Sequence, residues 1–292
     1  MIAIVGRHAA FLCGAVTAVL VASAGAAGPP PARIGISFVA GLDAGFHLLY
    51  DLKVAEARAQ FAVWQETHPG DPLGSASEAA SYLFEECYRQ GILTSEFFLD
   101  DKRLLGEVAL DPDQTARASF LAAARRAHDL SQLQLTTHSE DANALFAMTL
   151  AVGLEADYAA LIEKRQLDSL RMFRNAGRYA QKLLQVAPDA ADAYLVLGAA
   201  NYLIGSQPLH KRLFLRFAGI RGDKGEGILQ LAIVAARGRY LRPFAKILLA
   251  LAALREKQPE LARAQLTELV AEFPQNSLFV GELAKFTDMT QP

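Results

Sequence analysis

Residues 246–279 read KILLALAALREKQPELARAQLTELVAEFPQNSLF: two apolar runs and two stops. In the second run Leu261, Ala262, Leu266, Leu269, Val270 and Phe273 fall three or four apart, which puts one apolar stripe on one helix face. Gln258-Pro259 divides the runs. Pro is harmless in a first helical turn, because the N–H it lacks has no intrahelical acceptor there. Pro274-Gln275-Asn276 ends the second run. The same period recurs in Val54, Ala57, Phe61 and Trp64, and again in Ala176, Tyr179, Ala180, Leu183 and Leu184. Pro69-Gly70-Asp71-Pro72 closes one helix, while Asp111-Pro112 and Ser139-Glu140-Asp141 open two others. No run of alternating β-branched residues lies between hairpin turns. The expected fold is all-α: antiparallel helix pairs joined by short turns.

Fixed offsets tie the pairs together. Pro69, Pro188 and Pro274 each follow an Ala by twelve residues (Ala57, Ala176, Ala262) and follow Phe61, Ala180 and Leu266 by eight. Twenty-four residues before Pro69 and Pro274 stand the small residues Gly45 and Ala250. After Pro188, Leu197-Gly198 supplies another Leu-small pair, with Tyr194 near the helix start. This pattern resembles the tetratricopeptide repeat, a 34-residue helix pair in which small residues let two helices cross closely and a Pro ends the unit. The resemblance covers two good units, 41–74 and 246–279, and a split unit after Pro188. It departs from the family at Lys164, where a small residue belongs, and at Gly41 and Lys246, where an aromatic does. It implies helix pairs stacked as an α-solenoid with a concave groove. On that pattern the groove-facing positions are Phe46, Tyr50, Asp192, Tyr202, Phe244 and Arg255.

The 292 residues are 52% hydrophobic and carry 29 basic and 31 acidic side chains, so a packed core is expected and a general nucleic-acid binder is not. Arg7 and His8 precede an uncharged run centred on Phe11, Leu12, Val16, Val19, Leu20 and Val21. That run fades into Ala22-Ser23-Ala24-Gly25-Ala26, the small-residue exit of a secretory signal peptide. The expected organisation is a signal peptide over 1–26, a flexible linker over 27–36 and a helical repeat domain over 37–288, with an insertion at about 203–227. Export to the periplasm or beyond follows, with an uncleaved membrane anchor as the rival. Cys87 is then the one cysteine of the mature chain, flanked by Glu85 and Glu86, and reads as a buried structural thiol.

Chemistry is sparse. His47, His68, His128, His138 and His210 show no metal-ligand spacing, so neither metal nor cofactor is expected. Gly222–Gly227 lacks the spacing of a phosphate-binding loop and reads as a turn whose glycines allow close packing. Residues 209–217 interleave Lys211, Arg212 and Arg216 with Leu213, Phe214, Leu215 and Phe217; membrane contact there is not favoured, because the segment is short. The leading expectation is an exported scaffold without catalysis of its own that holds a protein or peptide. A second is an enzyme or ligand-binding protein using a pocket beside the 203–227 insertion, with Glu155, Asp157, Glu163, Arg165 and His210 as its groups. A third is a membrane-associated assembly factor.

Overall fold

Aspartates open four of the longer helices in the computed structural model, which describes residues 40–106, 110–209, 212, 213, 216 and 221–288. The Asp71 carboxylate accepts from Leu73 N–H, Asp113 from Thr115 and Ala116, Asp141 from Ala144 and Asp223 from Glu226, all at 2.8–2.9 Å. Each bond satisfies an N–H that the first turn leaves without a partner. One helix opens two residues later than Asp111-Pro112 predicts, because Asp113 is the residue whose carboxylate reaches the free N–H groups.

The described residues hold thirteen α-helices and no strand. They are α1 (Ala40–Tyr50), α2 (Val54–Thr67), α3 (Pro72–Arg89), α4 (Ser95–Leu99), α5 (Asp101–Leu105), α6 (Gln114–Thr137) and α7 (Ala142–Leu161), then α8 (Gln166–Val186), α9 (Tyr194–Gly205), α10 (Lys224–Arg237), α11 (Arg242–Arg255), α12 (Pro259–Glu272) and α13 (Ser277–Asp288). The expected signal peptide and linker, 1–36, lie outside the described residues, as does His210. Helices α1 and α2 pack on each other, as do α3 and α6, α7 and α8, α9 and α10, and α11 and α12. The second helix of each pair then touches the first helix of the next. In four pairs the first helix ends on a left-handed residue: Leu52 (φ 63°), Gly91 (66°), Lys164 (56°) and Lys257 (59°). Such a residue reverses the chain and returns orphan carbonyls to N–H donors, as in Lys53 N–H to Leu48 O at 2.9 Å and Gln258 N–H to Ala253 O at 2.8 Å.

Small residues set how closely the pairs cross. A Cβ on Gly45 would lie 2.2 Å from Phe61 Cε1, so only Gly lets α1 sit on the buried Phe61. Ala57, Ala250, Ala262 and Leu266 are buried at the corresponding crossings. Helices α9 and α10 also approach closely. A Cβ on Gly198 would lie 3.0 Å from Gly227 O, and one on Gly227 would lie 2.5 Å from Tyr202 N.

One turn occurs four times. His68, His138, Ala187 and Phe273 end α2, α6, α8 and α12 with φ between −127° and −134° and ψ between 63° and 82°. Three residues on, Asp71, Asp141, Ala190 and Asn276 return an N–H to the turn carbonyl at 3.0–3.1 Å. Eleven residues before each turn stands a fully buried Ala: Ala57, Ala127, Ala176 and Ala262. Pro69, Pro188 and Pro274 mark three of these turns. The fourth carries Ser139 instead, and Ser131 occupies the place of Phe61, Ala180 and Leu266. Ser131 Oγ is buried with no hydrogen-bond partner. Ser131→Ala removes that unmet hydroxyl and is expected to raise stability by about 1 kcal/mol in chemical denaturation; an unchanged or lower midpoint contradicts the unmet bond.

The chain also returns on itself. The Phe46 ring lies 5.2 Å from that of Tyr240, which lies 5.9 Å from Phe146. Tyr50 Oη donates to Tyr240 O at 3.1 Å, and Asn276 Nδ2 donates to Tyr50 O at 2.6 Å. Ser95 N–H reaches Glu282 Oε1 at 3.0 Å, and Lys285 pairs with Glu96 at 2.5 Å. So α1 and α4 rest on the α10–α13 end. Helix α7 is long and apolar enough to span a membrane, but two-thirds of its apolar window is buried against α3, α6 and α8. A helix enclosed by protein is apolar on all faces for that reason.

Candidate functional site: an arginine-rimmed cleft between α8 and α9

Arg171, Arg174 and Arg178 follow one another at spacings of three and four residues, so α8 carries them along one face. The opposite face buries Ser169, Ala176, Ala180 and Leu183. Gly177 faces Leu197 of α9, where an added Cβ would sit at ordinary contact distance, 3.5 Å from Cδ2. Around this contact the helices part into a cleft of about 630 Å³, open to solvent and lined by Gly177 and Leu197 themselves. Its apolar walls are Leu170 and Phe173 from α8 and Val196, Leu197, Ala200 and Ile204 from α9. Its polar lining is Arg171, Arg174, Arg178, Gln181, Asn201 and Arg221.

The charge on the rim is one-sided. Arg171 bonds Asp168 Oδ1 at 3.1 Å, and the same carboxylate takes Arg165 at 2.7 Å. Arg178 donates to Asn175 Oδ1 at 3.2 Å. Among the described residues, Arg174, Arg178 and Arg221 have no carboxylate within ion-pair distance. Guanidinium groups are always charged and present planar donor forks that match carboxylates. The cleft therefore offers three cations unpaired among the described residues, Arg174, Arg178 and Arg221, over an apolar floor: a binding chemistry for an anion with an aliphatic body.

The expected groove positions lie elsewhere, and four of the six are buried. Phe46 (3% exposed), Tyr50 (5%), Asp192 (4%) and Tyr202 (7%) face the interior rather than an open groove. The physical reason is the return of α1 onto the 238–241 turn and α12, which covers Phe46 and Tyr50 with Tyr240 and Phe273. Asp192 caps backbone, accepting from Arg239 N–H at 2.8 Å and Leu241 N–H at 2.8 Å. Tyr202 Oη points to Ala252 O at 3.4 Å. Phe244 is half-buried against the core, and exposed Arg255 donates to Phe98 O.

Glu155, Asp157, Glu163 and Arg165 do not line the cleft, although Arg221 brings the segment after α9 to its edge. Burial pulls Glu163 upward, but hydrogen bonds from Arg117 (2.6 Å) and Arg165 (2.9 Å) outweigh it and hold the carboxyl below its ordinary range. Burial raises Glu155, against the attraction of His128 and Arg125. Cys87 is buried; its surroundings, with Asp157 and Glu86 adding to burial, push the thiol far up and leave it unreactive. Gly222 and Gly227 press on α9, so the glycine run is a packing device. Leu209, Arg212, Leu213 and Arg216 are exposed; Lys211, Phe214, Leu215 and Phe217 lie outside the described residues.

Asp157 is half-buried and makes no hydrogen bond among the described residues. Burial alone lifts its carboxyl to about 7. The folded chain thus holds a proton that the unfolded chain releases near pH 4, and stability from this group is lost as pH rises from about 4 to 7. The advantage of Asp157→Asn over the parent is expected to grow by about 1–2 kcal/mol between pH 5 and pH 8. Paired denaturation curves check this, and an equal difference at both pH values contradicts it.

The arginine spacing was legible in the sequence, as RMFRNAGR over 171–178. What the sequence does not show is that α9 forms a cleft against this face. Comparison with family models, with curated proteins and with solved structures found no match.

Proposed function

We propose that this chain is a tetratricopeptide-like α-solenoid that holds another protein, with the cleft between α8 and α9 as its contact surface. The observation that carries the reading is the fourfold turn with a buried Ala eleven residues upstream. Such repetition is how stacked helix pairs build an extended surface. The return of α1 fills the face that stacks of this kind leave open, so the contact falls to the uncovered cleft, whose cations and apolar floor suit recognition. With residues 1–26 read as a signal peptide, that contact takes place outside the cytoplasm.

Cross-linking of the full chain in intact cells tests the reading. The expected result is a reproducible protein adduct that disappears in the triple variant R171E/R174E/R178E, whose melting point stays at the parent value because these side chains are exposed. Absence of any protein adduct overturns the scaffold, and an adduct indifferent to the triple variant moves the contact off the cleft.

A further inference from the structure

We infer that the cleft takes an extended, acidic protein segment in which carboxylates alternate with aliphatic side chains. This deepens the scaffold reading and rests on it. Charge selects the acid: Arg174, Arg178 and Arg221 face the cleft with no carboxylate partner among the described residues. Cations gathered on one wall raise the local concentration of anions and speed their capture. At 1.5 Å per residue, Arg174 and Arg178 are about 6 Å apart along α8. In an extended strand, alternate side chains on one face recur every 6.6–6.8 Å or so, close to that interval. A segment with acids at alternate positions thus meets these two cations in register.

The walls select what lies between the acids. Leu170, Phe173, Val196, Leu197 and Ile204 give an apolar floor beneath the rim. In a strand the intervening side chains point to the opposite face, so aliphatic residues there reach the floor while the acids stay at the rim. Asp168 fixes the polarity of the site. It neutralises the Arg171 end through a 3.1 Å bond and leaves the Arg174–Arg178–Arg221 end as the more cationic part. Asn201 donates one N–H to Gln230 Oε1 at 3.0 Å.

Fluorescence anisotropy of the full chain with a labelled Glu-Leu alternating decapeptide tests the inference. The Glu-Leu peptide is expected to bind at least tenfold tighter than its Gln-Leu counterpart and to weaken several-fold between about 50 and 300 mM salt. R174E/R178E is expected to lose at least tenfold with an unchanged melting point, and R221E to lose less. Equal binding of both peptides, or a variant that binds like the parent, overturns the inference. So does variant-sensitive binding that phosphatidylglycerol–phosphatidylcholine vesicles show and the peptide does not, which would assign the cleft to a lipid headgroup. If cells yield the cleft-dependent adduct but the peptide fails, only the ligand assignment falls. If the peptide binds and cells yield no adduct, the scaffold falls while the cleft's preference for acids stands.

Discussion

Tyr240→Ala is expected to lower stability by about 3–5 kcal/mol, the range for deleting a large aromatic from a closed core. Tyr240 is among the largest fully buried side chains, with rings of Phe46 at 5.2 Å and Phe146 at 5.9 Å. Phe46 belongs to α1, Phe146 to α7 and Tyr240 to the turn before α11, so one side chain joins three distant parts of the chain. Its backbone carbonyl, which accepts from Tyr50, survives the substitution. The measured loss therefore reports the whole side chain and the cavity it leaves. Tyr88→Ala serves as the reference, since Tyr88 is 51% exposed and its loss is expected to fall within about 1 kcal/mol. Urea denaturation of the two variants decides the matter, and similar losses in both would contradict the return of α1 onto the far end.

Gly227→Ala is the second large effect, expected at about 3 kcal/mol, the upper part of the range for forcing an extra carbon into a packed contact. The new Cβ would lie 2.5 Å from Tyr202 N and 2.8 Å from Gly198 O. Both are backbone atoms of α9, so relief requires moving a helix rather than turning a side chain. Gly225, two residues earlier in α10, offers the contrast: a Cβ there meets only Asp223 Oδ1, at 3.3 Å. Gly225→Ala is expected to stay within about 1 kcal/mol of the parent, helped by the better helix propensity of Ala. Comparable melting points for the two variants would mean that α9 and α10 do not cross at Gly198 and Gly227.

Much of the helix pairing was legible because it rests on local chemistry. Ala57, Ala176 and Ala262 stand at one distance from a Pro, and close crossing needs a small side chain wherever it occurs. The unit ending at His138 is hidden in the sequence because Ser139 replaces the Pro and Ser131 the apolar residue, although its backbone turn matches the others. The groove residues were misplaced for a different reason. An aromatic face on α1 reads alike whether it awaits a partner or rests on its own chain. The contact that separates the two, Tyr50 to Tyr240, spans 190 positions and leaves no mark in local pattern. The arginines of α8 carried a visible period, but an exposed cationic stripe becomes a site only where a neighbouring helix leaves an apolar floor beside it.

Amide hydrogen exchange on the full chain, with and without the acidic peptide, bears most directly on the central idea that recognition has passed from a self-filled groove to the α8–α9 cleft. Protection should rise within residues 170–181 and 196–204 and stay unchanged at 46–50 and 238–241, already slow to exchange in the free chain. New protection at 46–50 and 238–241, or rapid exchange of these segments in the free chain, would show an open groove and contradict the account.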